Sequence, residues 1–304
     1  MKTNSIVLIE PKVHLNFYPF SVLHTVFELR CGVFRLFEKI VNLFPNSNIS
    51  FLSERPEHLN CFLEKFNLKN PLPNKNNVLF LLANVLPTTC FFKELEEKYD
   101  EFLKNIENKK NIVCFTRNNL PIAYFFPELD YNFINNNSIN NLETLSFPNI
   151  EINAAKILDY IWDAIEYNGS AIEDDFQYFR ADYLKQNKNT TFLNRENIFI
   201  SETADIMPGI VLDASNGVII IDDNVKIMPN SVIIGPCFIG KNSTIKVAAK
   251  IYEKTSIGEF CKVGGEVENS IIQSYSNKQH DGFLGHSFIS EWVNLGADTN
   301  TSDL

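Results

Sequence analysis

The feature that most constrains this chain is a six-residue period in its second half. Counting from Ile221, the positions Ile227, Ile233, Ile239, Ile245, Ile251, Ile257 and Val263 follow without a break. With Ile, Val and Leu filling roughly one position in four, eight such hits by chance have a likelihood on the order of 10⁻⁵. Four residues after each of the first seven come Val225, Ser231, Cys237, Ser243, Ala249, Thr255 and Cys261, all small or β-branched. Upstream, Ile200, Ile206 and Leu212 keep the same phase before a three-residue insertion around Asn216 and Gly217.

A period of six suits neither an amphipathic helix nor an alternating strand. It suits a parallel solenoid with triangular coils, each hexad building one flat wall and one corner. The aliphatic residue points into the prism and the small residue fits where the chain turns. Asn224, Asn230 and Asn242 fall at corners, where Asn tolerates the left-handed backbone conformation. Eighteen residues complete a coil, and coils stack at about 4.8 Å. After Val263 the period breaks, with Ile289 and Leu295 in a new phase. Such a departure predicts a loop, and the stretch carries His280 and His286 among Gly, Asn and Ser.

Residues 1 to about 185 read as α/β. The short apolar runs SIVLI, NISFL, NVLFLLANV and NIVCF predict strands. Helix-like segments lie between them, roughly Val33 to Phe44, Glu57 to Phe66 and Phe91 to Ile106. Alternation of this kind predicts a mostly parallel sheet covered by helices. Residues 135–141 form a polar loop, 153–167 have helical apolar spacing, and a helix over 170–185 leads into a polar linker at 186–191. The division expected is 1–190 for the α/β domain and 191–304 for the solenoid.

The formal net charge of −10, with no cluster of Lys and Arg, argues against a nucleic-acid surface but leaves a small anionic substrate open. No apolar run approaches 18 residues and the N-terminus has no signal-peptide pattern, so a cytoplasmic protein with no membrane partner is expected. The six cysteines are scattered without a C-x-x-C pair, as reduced buried thiols would be.

The runs IMPGIVLDASNGVIIID, IMPNSVIIGPCFIGKNSTIK and NSIIQSYSNKQHDGFLGHS resemble the bifunctional GlmU proteins, closest to a variant bacterial family of sugar nucleotidyltransferases. Residues 153–167, NAAKILDYIWDAIEY, resemble the W-D…N signature that closes the nucleotidyltransferase domain of that family. The resemblance implies a Rossmann-like nucleotidyltransferase domain followed by a left-handed parallel β-helix of hexapeptide repeats, from about residue 198 onward. It implies a transferase of UDP-N-acetylglucosamine-type nucleotide-sugar biosynthesis, with nucleotide, sugar phosphate and acetyl-CoA as substrates, Mg2+ as a possible cofactor, and a homotrimer.

Carried over by position, His280 stands where GlmU places its general base. An imidazole with an unperturbed pKa of about 6.5 can take a proton from an attacking amine near neutral pH. Asn294 matches an Asn near the acetyl group, Ala297 a residue whose backbone faces acetyl-CoA, and Phe283 a substrate-binding Tyr whose hydroxyl is lost. Arg30, Gly32, Glu38 and Lys39 survive from the variant family's phosphate-binding pattern, and Arg30, Gly32 and Lys39 are the nucleotide-binding candidates. The family's Arg-Pro is His24-Thr25 here, and its second Arg is Phe37; neither replaces a bidentate phosphate ligand. Residues 6–20 contain no glycine, so the usual backbone cradle for a triphosphate cannot form. FLLANVLP (80–87) has no carboxylate where such enzymes place a metal-binding Asp, so the metal ligands are unknown. The chain stops after its Asn-Leu-Gly-Ala segment, where GlmU-like proteins carry further coils, and a C-terminally truncated protein is expected. Three readings stay open: a two-activity enzyme, a catalytically impaired structural or regulatory relative, and an acyltransferase for another amino sugar.

Overall fold

The computed structural model describes residues 3–105, 112–129, 147–179 and 189–302. The polar loop expected at 135–141 lies outside the described residues, as do 180–188, which hold half of the linker expected at 186–191. The chain forms two compact units: Met1–Leu29 with Arg35–Asp159, and Arg30–Phe34 with Tyr160–Leu304.

The first unit is built on a six-stranded sheet. Its strands are β1 (Ser5–Ile9), β2 (Asn48–Leu52), β3 (Asn76–Leu82), β4 (Val113–Arg117), β5 (Leu120–Glu128) and β6 (Asn149–Glu151), in the order β2-β1-β3-β5-β4-β6. β1 pairs parallel with β2 and with β3, and β4 pairs parallel with β6. All five residues of β1 are buried, as an unbroken apolar run in an interior parallel strand should be. β5 runs antiparallel to both β3 and β4; it and β6 are the strands outside the four apolar runs, although β5 carries a buried run of its own, Ile122–Phe126. It is reached through Asn118 and Asn119 at φ 52° and 63°, the two-residue hairpin turn in which both central residues are left-handed.

The helices α1 (Leu36–Leu43), α2 (Pro56–Lys65) and α3 (Thr89–Lys104) fall inside or beside the expected segments. α3 starts where the Thr88 hydroxyl accepts the Phe91 amide at 3.2 Å, a side-chain cap on an otherwise unpaired donor. It buries Phe91, Phe92, Leu95 and Tyr99 along one stripe. The helix expected over 153–167 begins only at Ile161. The preceding residues are drawn into extended pairing instead: Ile157 bridges Val85, and the Leu158 amide donates to Asn84 O at 2.7 Å.

The second unit is the expected left-handed parallel β-helix, with α4 (Ile161–Asp175) and the segment Arg30–Phe34. Three parallel sheets form its walls. The first wall stacks Ile210–Asp213, Val232–Ile234, Lys250–Ile251, Glu266–Glu268 and Phe283–Gly285 above Thr190–Leu193. The second stacks Ile219–Ile221, Cys237–Ile239, Thr255–Ile257, Ile271–Ile272 and Phe288–Ile289 above Ile198–Ile200. The third stacks Lys226–Ile227, Thr244–Ile245, Lys262–Val263 and Asn277–Lys278 above Asp205–Ile206.

Ile221, Ile227, Ile233, Ile239, Ile245, Ile251, Ile257 and Val263 are all fully buried in one core. Each such side chain contributes about 1.5–3 kcal/mol by leaving water. The small residues four positions on are buried as well, and their hydroxyls are used: Ser243 Oγ donates to Gly258 O at 2.8 Å and Ser231 Oγ to Lys246 O at 2.9 Å. Asn224, Asn230 and Asn242 sit at corners with φ 55°, 61° and 60°.

The break in period is not a loop. Ile239 pairs with Ile257, eighteen positions on, whereas Ile257 pairs with Ile272, only fifteen on, and the walls continue. The coil contracts and the stacking survives.

The second wall is apolar outside as well as inside. Ile220 and Phe238 pack with Val33, Ile172 and Val218, joined by Phe34, Phe176, Phe179 and Phe199, in a second small core between the wall, α4 and the early segment. Burial of the thiols is only partial: Cys61 and Cys90 are exposed, while Cys31, Cys114, Cys237 and Cys261 are buried and free. No helix among the described residues is long and apolar enough to cross a membrane.

Candidate functional site

In the first unit the chain leaves β1 for β2 on one side, then returns to β3 on the other. Carboxyl-end connections that diverge in this way open a crevice, and ligands of open α/β sheets bind there. A cavity of about 460 Å³ lies at that point, within the range of small-molecule sites. Residues after β1, after β2 and after β3 line it, with Thr116 and the early part of β5 on the far side.

Glu10, the first residue after β1, is buried and fully engaged. It accepts the Val26 amide at 2.9 Å, Ser53 Oγ at 2.5 Å and Arg55 Nε at 3.1 Å, and it also pairs with Arg55 Nη2. Arg55 also donates to Ser21 O at 2.6 Å and His24 O at 2.9 Å, so four of its five N–H groups are engaged within the protein. This pair ties the segments after β1 and β2 together, and neither group is left to hold a phosphate. Lys12 and His14 line the cavity beyond it.

Asn84, just after β3, is 5% exposed and lines the same cavity. Its amide donates to Leu158 O at 3.2 Å, but its carbonyl oxygen is buried with no partner. A buried acceptor left open costs about 1–3 kcal/mol, so this atom is a ready partner for a ligand donor. Cys114 also lines the cavity; burial pushes its thiol up to about 11, against a hydrogen bond with Tyr124, which makes it a poor nucleophile.

The carboxylates do not make a metal site. Among the described residues no group of three His, Cys, Asp or Glu side chains could hold an ion. Of the cavity's carboxylates Glu10 is held by Arg55, and Glu54 and Asp159 are the others on its lining, too few among the described residues for a cage made by the protein alone.

Arg30, Gly32 and Lys39 do not line this cavity. Arg30, 1% exposed, pairs with Glu259 at 2.8 Å. The Gly32 amide donates to Asn168 Oδ1 at 2.7 Å, and Gly32 O accepts Ser256 Oγ at 2.9 Å. Both residues thus belong to the second unit, as part of the strap that covers its second wall. Lys39 is buried on α1 in the first unit. His24 pairs with Glu28 at 3.2 Å, and Phe37 is a core residue against Phe62 and Phe66. Positions 24 and 37, where the resemblance led one to look for arginine, make these packing and ion-pair contacts within the first unit.

The four candidates near the end of the chain come together. His280 is exposed at the corner after the third wall. Asn294 bridges Asn277 on the same wall, and the next corner stacks on His280's own through the Asp298 amide and Asp281 O at 3.1 Å. Ala297 is exposed on that corner, and Phe283 opens the following strand with its amide on Asn300 Oδ1 at 2.7 Å.

The family model described as sugar nucleotidyl transferase matches residues 6–183. The chain belongs to the sugar nucleotidyl transferase family. Curated relatives of this sugar nucleotidyl transferase family member include three bifunctional proteins GlmU. That of Synechococcus elongatus is 29% identical over 133 residues, covering 37% of this chain and 29% of the relative. That of Rippkaea orientalis is 31% identical over 108 residues, covering 34% and 22%. That of Wigglesworthia glossinidia brevipalpis is 31% identical over 140 residues, covering 44% and 29%. The matched region spans less than a third of each relative's length. A crystal structure of a Bacillus anthracis protein, provisionally named glucose-1-phosphate thymidylyltransferase, aligns with 57% of this chain and 96% of its own at a TM-score of 0.36 and 10% identity.

Lys12, His14, Glu10 and Asn84 were missed in the sequence. The signal that could have found them is positional: Glu10 directly follows β1, Lys12 and His14 lie within five residues of its end, and Asn84 is two residues past β3, at strand ends where α/β sheets bind ligands.

Proposed function

We propose that this chain is a transferase of nucleotide-sugar biosynthesis. Sugar-1-phosphate nucleotidyl transfer belongs to the part spanning 1–190. N-acetyl transfer from acetyl-CoA to an amino-sugar phosphate belongs to the solenoid of 191–304. Two substrates, a nucleotide and a sugar phosphate, meet in the strand-end cavity. The observation that carries this reading is the Asn84 carbonyl oxygen, buried, without a partner and lining that cavity. It suits a sugar hydroxyl or a base N–H, while Lys12 supplies a cation for a phosphate. In the acetyl half His280 removes the amine proton, with Asn294, Ala297 and Phe283 at the substrate and acetyl-CoA side. Cytoplasmic residence and a homotrimer complete the proposal by its likeness to the family.

A second reading, a catalytically impaired relative that binds without turnover, is favoured by specific residues. These are the amide of Asn84 in place of a carboxylate, the engaged Glu10–Arg55 pair and the glycine-free segment after β1. Pyrophosphate release from UTP with N-acetylglucosamine-1-phosphate separates the two. Turnover supports the enzyme; calorimetric binding of UDP-N-acetylglucosamine without turnover supports the impaired relative; neither signal sinks both. Thiol release from acetyl-CoA with glucosamine-1-phosphate tests the acetyl half, and equal background from wild type and His280→Ala refutes it.

A further inference from the structure

The interior column of the third wall runs Ile206, Ile227, Ile245, Val263 and then Lys278. Four aliphatic residues are followed by a lysine that is only 3% exposed. A buried ammonium is costly unless it reaches an acceptor. Lys278 Nζ donates to the carbonyl of His280 at 2.7 Å. Burial pushes the pKa of this ammonium down, and the carboxylates of Asp281 and Asp298 pull it partly back.

The surroundings are shaped to this contact. A Cβ on Gly265 would lie 2.7 Å from Lys278 Nζ, 2.8 Å from His280 O and 2.9 Å from Gly282 O. Three groups converge where only a glycine leaves room, and the φ of +70° at Gly265 independently favours one. The lysine stem therefore fills the prism while its head emerges beneath the corner 280–282. It does so in the contracted coil, where Val263 pairs with Lys278 across fifteen positions instead of the eighteen that separate Ile245 from Val263. That corner in turn holds its neighbours: the Glu266 amide donates to Gly282 O at 3.2 Å and the Asp298 amide to Asp281 O at 3.1 Å.

We propose that Lys278 is a positioning residue, whose buried ammonium anchors the His280 carbonyl and so fixes the corner that presents the imidazole beside Asn294 and Ala297. The catalytic part of this statement rests on the reading of His280 as the base for amine acetylation. The lysine touches no substrate; it acts through the backbone of the residue two positions on. An aliphatic residue would fill the prism at lower desolvation cost, and the ammonium is what it could not supply.

Lys278→Met keeps the stem and removes the charge, and methionine in this apolar interior should preserve the fold. Lys278→Arg retains a cationic donor. Two measurements on the full chain decide the matter: amide exchange at Glu266 and Asp298, and steady-state thiol release from acetyl-CoA with glucosamine-1-phosphate. In Lys278→Met both amides should exchange at least about tenfold faster, as loss of a cooperative corner contact implies. The Thr244 amide, held by Cys261 O at 2.8 Å, should not change. kcat should fall at least about tenfold with KM for acetyl-CoA within about twofold, the pattern of lost positioning and not of lost binding. Lys278→Arg should recover part of both effects. Unchanged exchange at Glu266 and Asp298, equal acceleration at Thr244, or an unchanged kcat in an active enzyme each overturns the proposal. Wild-type thiol release no greater than that of His280→Ala overturns the acetylation reading instead, and exchange alone then decides the role of Lys278.

Discussion

The Arg30 guanidinium donates to the Glu259 carboxylate at 2.8 Å, joining residues 229 positions apart in the sequence. Arg30 also donates to Val33 O and lies over the Phe238 ring at 5.5 Å, while Ser274 Oγ donates to the second Glu259 oxygen. Arg30 Nε is buried without a partner, so this charge is not fully compensated even in the native pair. Glu259→Gln leaves it buried opposite a neutral amide and should cost about 2 kcal/mol, below the full cost of a completely buried pair because Glu259 is partly exposed. Arg30→Met removes the charge and should cost less. Urea midpoints read by pulse-labelled amide exchange on the peptide containing Ile257 check the order; the reverse order would refute it.

Gly32→Ala should destabilise the second unit severely, by about 2–4 kcal/mol, through strain and overpacking together. Gly32 has φ +84°, and a Cβ there would meet Asp175 Oδ2 at 2.5 Å and the Ala171 backbone at 2.8 Å. Gly296→Ala is the control: the nearest atom to its Cβ is 3.9 Å away, and its thermal midpoint should stay within about 1 °C of wild type, as for surface changes generally.

Glu28 should make the first unit acid-sensitive. Burial alone would raise its pKa. Hydrogen bonds from His24, Lys65 and the Thr25 backbone, with the Lys65 charge, overcome that and lower it from 4.5 to about 2. A depressed folded-state value contributes stability that is complete above the unfolded pKa and is lost as pH falls through the folded one. The contribution of ~3 kcal/mol should therefore fade between about pH 5 and pH 2. Glu28→Gln should flatten this limb of the stability profile, measured by amide exchange of the β1 peptide. A variant as acid-sensitive as wild type would show that another carboxylate dominates.

Asn84→Leu should weaken binding of UDP-N-acetylglucosamine in the strand-end cavity by at least about tenfold, because a buried acceptor for the ligand is lost. The free protein should lose little, since the Asn84 carbonyl oxygen is unpartnered there and only the bond to Leu158 O is forfeited. Calorimetric titration measures the first effect and thermal unfolding the second. Equal affinity in the two proteins would place the ligand elsewhere.

What was legible in the amino acids alone depended on how local the governing interaction is. Ile221 through Val263 announced the prism, because stacked coils repeat one environment and periodic burial writes itself into periodic residues. Asn224, Asn230 and Asn242 marked its corners for the same reason, each needing a left-handed backbone. The strand runs from Ser5 and from Asn76 were equally plain. β5 and β6 were not: β5 carries its own buried run at Ile122–Phe126 but is placed against β4 by the turn at Asn118–Asn119, and β6 is only three residues long.

The sites were far less legible. The sequence by itself determined the solenoid, the α/β character of the first part and the residue types that chemistry could use. Only the tertiary structure decided that Arg30 and Gly32 serve the strap on the second wall, that Glu10 and Arg55 are engaged with each other, and that Lys278 lies inside the prism. Each of those outcomes depends on a partner brought from elsewhere in the chain: Glu259 for Arg30, Asn168 and Ser256 for Gly32, Arg55 for Glu10, and the preceding coil's Val263, fifteen residues back, for Lys278. A side chain's charge and shape are written in its own identity, but what neutralises or buries it is written in the fold.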